Sequence, residues 1–181
     1  MATPEEISAR AAQIAFGEPV IQNDFRGLIV EVIVEAALGG DWKLCSANWL
    51  SWDFQHIDGT RLEIKQSAAQ QTWPDARRPS PPAFDIKPRK GHYEGAEWVP
   101  EFGRKAHIYI FGYHPYKNPH ADHRDPTQWE YYVLQTTCLP STGRIGLSEV
   151  RKRSQRVDWL NLSAAVEAAH LAHKIATIKS P

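Results

Sequence analysis

Two carboxylates and an ammonium lie close together in the middle of this chain, within Trp52-Asp53-Phe54-Gln55-His56-Ile57-Asp58-Gly59-Thr60-Arg61-Leu62-Glu63-Ile64-Lys65. Asp53, Glu63 and Lys65 are residue types that can hold a hard divalent cation through oxygen and activate a water beside it. Whether they meet depends on how the chain turns between them. The runs Trp49 to His56 and Arg61 to Ser67 alternate in polarity, and Asp58-Gly59 between them is a hairpin signal. Strand side chains repeat with period two, so Glu63 and Lys65 share one face while Leu62 and Ile64 share the other. A two-residue Asp58-Gly59 loop opposes Asp53 to Ile64 and turns it away from Glu63. A three-residue loop, Ile57-Asp58-Gly59 with Gly59 left-handed, pairs Asp53 with Glu63. A metal site therefore predicts a type I turn followed by a G1 bulge.

The same three residues also read as a solvated hairpin face with an ordinary cross-strand ion pair. The preceding helix bears on the choice. Asp24 caps a helix predicted to run to Leu38 and to end at Gly39-Gly40. Apolar residues nearly surround it, so it is expected to be largely buried. Glu31 and Glu35 lie four apart and share one face. Buried carboxylates without a cation are costly. Either this end of the helix meets solvent, or Glu31 reaches the metal or its water. Gln66 alternates to the other face and falls outside the site.

Asp53, then Glu63-Ile64-Lys65 across a hairpin, preceded by Gly27-Leu28-Ile29-Val30-Glu31 on a helix, resembles the PD-(D/E)XK nuclease superfamily, the restriction-endonuclease-like fold. The continuation resembles uncharacterised bacterial members in Glu63-Ile64-Lys65-Gln66-Ser67-Ala68, Lys105-Ala106-His107-Ile108-Tyr109-Ile110-Phe111, Gln128-Trp129-Glu130-Tyr131-Tyr132-Val133-Leu134 and Ile145-Gly146-Leu147-Ser148. Trp52 stands where the motif has its Pro. The resemblance implies an α/β restriction-endonuclease-like core, a mixed central sheet flanked by helices. It implies a metal-dependent phosphodiesterase, an endonuclease hydrolysing DNA, with Asp53, Glu63, Lys65 and Glu31 catalytic. Asp53, Glu63, the Ile64 carbonyl and Glu31 would hold Mg²⁺ or Mn²⁺. A metal-held water would attack phosphorus, with Lys65 orienting or deprotonating it. Two other readings stay open: a nuclease fold without hydrolysis that serves as a binding or assembly module, and an RNA-directed nuclease. DNA is placed before RNA as partner.

Composition sets limits on these expectations. At 181 residues the chain suits a single domain over residues 1–181, with an N-terminal helix in 1–20 and an irregular insert over 69–104. Hydrophobic content of 42% and charged content of 23% are those of an ordinary soluble protein. Lys and Arg number 21, as do Asp and Glu, so binding a polyanion requires a local basic stripe or a homodimer. Cys45 and Cys138 have no metal spacing and suggest no disulfide framework. The N-terminus does not read as a signal peptide, and no apolar run approaches membrane-spanning length. A cytoplasmic protein without a membrane partner is expected.

The remaining elements must hold the hairpin in place. Thr3-Pro4-Glu5-Glu6 starts a helix that reaches about Phe16. Trp42 to Ala47 is predicted as a first strand, His107 to Tyr113 as a central one and Gln128 to Thr137 as the next. The insert holds Pro74, Pro79, Pro81, Pro82, Pro88 and Pro100 with Arg77, Arg78, Lys87, Arg89 and Lys90, and its Trp73 and Trp98 are expected to be exposed. His120-Ala121-Asp122-His123-Arg124-Asp125 is read as a solvated loop rather than a second metal site. Ser148 is expected to cap a short basic helix. Arg151, Lys152, Arg153 and Arg156 there either touch phosphates or form an exposed face. An Ala-rich helix is predicted over Ser163 to Ile175.

Overall fold

The computed structural model describes residues 2–45, 50–73, 81–94 and 97–179. Helix α1 (Pro4–Phe16) begins with the predicted capping box, Thr3 and Glu6 each accepting the other's main-chain N–H. Helix α2 (Asn23–Leu38) leads into strand β1 (Trp42–Leu44), the hairpin strands β2 (Phe54–His56) and β3 (Arg61–Ala68), and β4 (Ala83–Asp85), β5 (His92–Glu94) and β6 (Glu97–Val99). Strands β7 (Ile108–His114), β8 (Glu130–Gln135) and β9 (Arg144–Gly146) follow, then α3 (Leu147–Arg153) and α4 (Trp159–Ile178). Among the expected strand and insert residues, Ser46, Ala47, Trp49, Pro74, Arg77, Arg78 and Pro79 lie outside the described residues.

The fold is α/β around a mixed five-stranded sheet of order β1-β2-β3-β7-β8. Only the central pair, β3 with β7, is parallel. Alternation along these strands feeds two cores. Leu62, Ile64, Ile108 and Ile110 pack with Val30, Ile33 and Val34 of α2 and Leu162 and Val166 of α4. Tyr109, Phe111, Tyr132 and Leu134 face the other way, onto Phe84, Ile86, Ile145, Leu147 and Val150. Full burial of each such aliphatic side chain contributes about 1.5–3 kcal/mol. Helices α2 and α4 thus cover one face, and the β4–β9 ribbon with α3 covers the other.

Several expectations need correction. Helix α2 is buried on one face only, with Leu28 and Val32 nearly half exposed. The 69–104 stretch is not irregular throughout: β4 pairs with β9, and β5 with β6 forms a hairpin. Trp73 and Trp98 are exposed as predicted. Gly146, not Ser148, is the N-cap of α3, and α4 starts earlier than predicted because the Asp158 side chain accepts from the Asn161 N–H. Pro126–Gln128 forms a 3-10 turn, so β8 begins only at Glu130. The histidine loop is solvated at His120 but not at His123. That ring is fully buried, its Nδ1 accepts the Ile21 N–H at 3.0 Å, and it packs edge-on against His114.

Nothing in the sequence around Arg26 signals its burial. Its guanidinium is buried under α2 and donates to the side-chain oxygens of Gln66 (2.6 Å), Gln71 (3.0 Å) and Asn23 (2.6 Å). Burial lowers its pKa to about 10. Both cysteines are free. Among the described residues no helix is long and apolar enough to cross a membrane.

Candidate active site

The hairpin turns as a metal site requires. Gly59 has φ of 90°, the His56 N–H donates to Thr60 O at 2.8 Å, and the Gly59 N–H donates to His56 O at 2.9 Å. The register is Phe54 opposite Leu62 and Gln55 opposite Arg61, which is that of the three-residue loop. Direct pairing of Asp53 with Glu63 does not follow, because the ladder stops at Phe54. The Asp53 N–H donates to Leu62 O at 2.9 Å, and Asp53 Oδ2 accepts the Ile64 N–H at 2.6 Å. The carboxylate thus takes a donor that a main-chain carbonyl would otherwise satisfy, and it bridges from the end of β2 to β3.

Asp53, Glu63 and Lys65 line one cavity of about 390 Å³. The Lys65 ammonium is hydrogen-bonded to Glu63 Oε1. Burial, then the charge of Glu63, pushes Asp53 up to about 7, opposed by the Ile64 N–H. Burial also raises Glu63, against the pull of Lys65. Glu31 adds its negative charge to both carboxylates, although α2 packs on the opposite sheet face. Glu35 is exposed. Gln66 points to α2 and is held by Arg26, outside the site as expected.

The Asp53 and Glu63 carboxylates, oxygen donors lining one half-buried cavity, suit a hard divalent cation. Asp53 and Glu63 could ligate it, with Glu31 as an outer carboxylate. The Ile64 carbonyl belongs to β3 between Glu63 and Lys65.

The walls of the cavity answer the question of net charge. Lys87, Arg89, Lys90, Arg104 and Lys105 line it with Lys65, against Asp53, Glu63 and Asp85. A neutral chain therefore presents a locally cationic cleft. Arg104 is tied to the carbonyls of Ile86, Pro140 and Thr142, which fixes the wall. Arg89 pairs with Asp85 at 3.1 Å, and Lys105 with Glu101 at 2.7 Å. Trp98 stands at the rim, half exposed. The density of basic residues in the proline-rich stretch was the available signal for Lys87, Arg89 and Lys90. Nothing local marked Arg104 or Lys105.

Arg151 pairs with Glu130 at 2.7 Å and Arg153 with Glu149 at 2.8 Å. Among the described residues, a further group of metal-ligand types converges at the hairpin tip: His56, Asp58 and His170. No protein-family model matches the chain, and comparison with curated proteins finds no similar sequence.

Proposed function

We propose that the chain is a metal-dependent phosphodiesterase, an endonuclease hydrolysing DNA on a restriction-endonuclease-like core. The observation that carries this reading is the meeting of Asp53, Glu63 and Lys65 in one cavity with five further cations on its walls. Mg²⁺ or Mn²⁺ would be held by Asp53, Glu63 and the Ile64 carbonyl, with Glu31 behind them. When bound, it would supply charge neutralisation at phosphate and a water of lowered pKa. Lys65 keeps its ammonium at the carboxylate cluster, where it can steady a nucleophile and offset charge growing on phosphate oxygens. Lys87 and Lys90 offer charge to flanking phosphates. The test is incubation of purified protein with plasmid, linear single strands and RNA, in Mg²⁺, Mn²⁺ or EDTA. Nicking or linearisation of plasmid that EDTA abolishes is expected. Metal-dependent cleavage of RNA alone would replace DNA as substrate, and no cleavage of any polymer would overturn the reading.

The two helix carboxylates should separate in the same assay. A helical turn spans about 5.4 Å, so Glu31 and Glu35 are poorly placed to serve one ion together. Glu31 acts electrostatically on Asp53 and Glu63, and Glu35 is exposed. Glu31→Gln is expected to cut cleavage strongly and to raise the Mn²⁺ concentration required, whereas Glu35→Gln should behave nearly as wild type. A Mn²⁺ titration of both variants decides. A dead Glu35→Gln beside an active Glu31→Gln would shift the assignment by one turn.

A further inference from the structure

At the opposite end of the hairpin from Asp53, the turn closes against α4. There His56 of β2, Asp58 of the turn and His170 of α4 present ligand atoms that all lie within 4.8 Å of one another. Asp58 is central, with Oδ1 2.9 Å from His56 Nδ1 and Oδ2 2.8 Å from His170 Nε2. The Thr60 N–H donates to Asp58 Oδ1 at 3.0 Å, so turn geometry fixes this carboxylate. His170 is buried, and its other ring nitrogen, Nδ1, faces Glu167 at 3.6 Å. Glu167 in turn accepts from Trp42 Nε1 at 3.0 Å. An imidazole with a carboxylate on the side of one nitrogen and the other nitrogen aimed at a shared centre is disposed as metal-binding histidines are. Trp42 also packs edge-on against both rings, at 5.0 Å from His56 and 5.5 Å from His170.

We propose that His56, Asp58 and His170 bind a divalent cation of the zinc class, through two imidazole nitrogens and one carboxylate oxygen, with a fourth position open to water. Nitrogen donors favour Zn²⁺, Co²⁺ or Ni²⁺ strongly over Mg²⁺, whereas oxygen donors alone, as in the acidic cavity, suit Mg²⁺ or Mn²⁺ and discriminate less. The ion would fasten α4 to the hairpin. Its competitor is Lys174, whose Nζ lies 3.1 Å from Asp58 Oδ2. The ammonium and the cation would contend for one carboxylate. This site does not rest on the phosphodiesterase reading.

The experiment uses the full chain, stripped with EDTA and dialysed, then titrated with Co²⁺ and Zn²⁺ and followed by visible absorption, calorimetry and thermal melting. With excess Mg²⁺ present to occupy the acidic cavity, the wild type is expected to bind one equivalent with high affinity, to show a Co²⁺ absorption band that Zn²⁺ displaces and Mg²⁺ does not, and to melt about 5–10 °C higher at a Zn²⁺ concentration 100 times its Kd. His56→Gln and His170→Gln should each weaken Zn²⁺ binding by at least roughly tenfold. Lys174→Gln should tighten it, because the competing ammonium is gone. Glu63→Gln should leave it unchanged. Circular dichroism without metal checks folding, and if His170→Gln does not fold, His56→Gln and Lys174→Gln decide. Absence of Zn²⁺ binding in the wild type, wild-type affinity in His56→Gln, or weaker binding in Lys174→Gln would each overturn the site.

Discussion

Lys65→Ala is expected to slow DNA cleavage by roughly 10²–10³-fold at saturating Mg²⁺ and to leave DNA affinity within about twofold. The asymmetry follows from where the ammonium sits. It is bonded to Glu63 inside the acidic cluster, while Lys87, Arg89, Lys90, Arg104 and Lys105 line the surrounding wall. Ground-state affinity for a polyanion is spread over many cations, so deleting one changes it little. A charge that develops only in the transition state is felt most by the group beside it. Single-turnover cleavage and fluorescence anisotropy, the latter in Ca²⁺, separate the two quantities. Cleavage near the wild-type rate would make Lys65 a structural partner of Glu63. Parallel loss of affinity and rate would make it a binding residue.

Asp53→Asn should abolish cleavage and yet yield a more stable protein at pH 8 in EDTA. The folded protein holds the Asp53 carboxyl at about 7, above its ordinary value, chiefly through burial and the charge of Glu63. A raised folded value means that the folded state binds the proton more tightly than the unfolded chain. Stability from this group is therefore complete below about pH 4 and is lost as pH climbs towards 7. At about 1.4 kcal/mol per pKa unit, the loss amounts to roughly 2–4 kcal/mol by pH 8. Asparagine keeps an oxygen for the Ile64 N–H without the charge. Melting should rise by about 5–10 °C at pH 8 in EDTA and change little at pH 4. Mg²⁺ should narrow the gap by stabilising only the wild type. An Asp53→Asn protein that melts below the wild type at pH 8 would mean that the carboxylate anchors the hairpin rather than strains it.

The hairpin was legible because its signals are local. Alternation alone put Glu63 and Lys65 on one face, and Asp58-Gly59 between the runs marked the turn, whose length the left-handed Gly59 then settles in the structure. The central strands and α2 were legible for the same reason. The step by which Asp53 leaves the ladder was not, since a side chain displaced a main-chain acceptor there. Three-residue strands such as β4 and β5 carry too little periodicity to announce themselves, and β4 finds its partner β9 far along the chain. That pairing is what brings Lys87 and Arg89 towards Glu63. His170 and Asp58 are likewise joined only by tertiary folding, and neither sits in a metal-spaced motif. His123 resembled a loop residue because its burial depends on Pro19 and Ile21 from another segment.

The cationic lining of the cavity has a corollary elsewhere on the molecule. The chain carries no net charge, so a cleft with an excess of positive groups leaves the rest of the surface with an equal negative excess. The protein is then an electric dipole with the acidic centre at its positive pole. A polyanion would turn such a molecule before touching it, drawing the cleft inward. Encounter would depend on ionic strength although the net charge is zero, and resting contacts on the wrong face would be short.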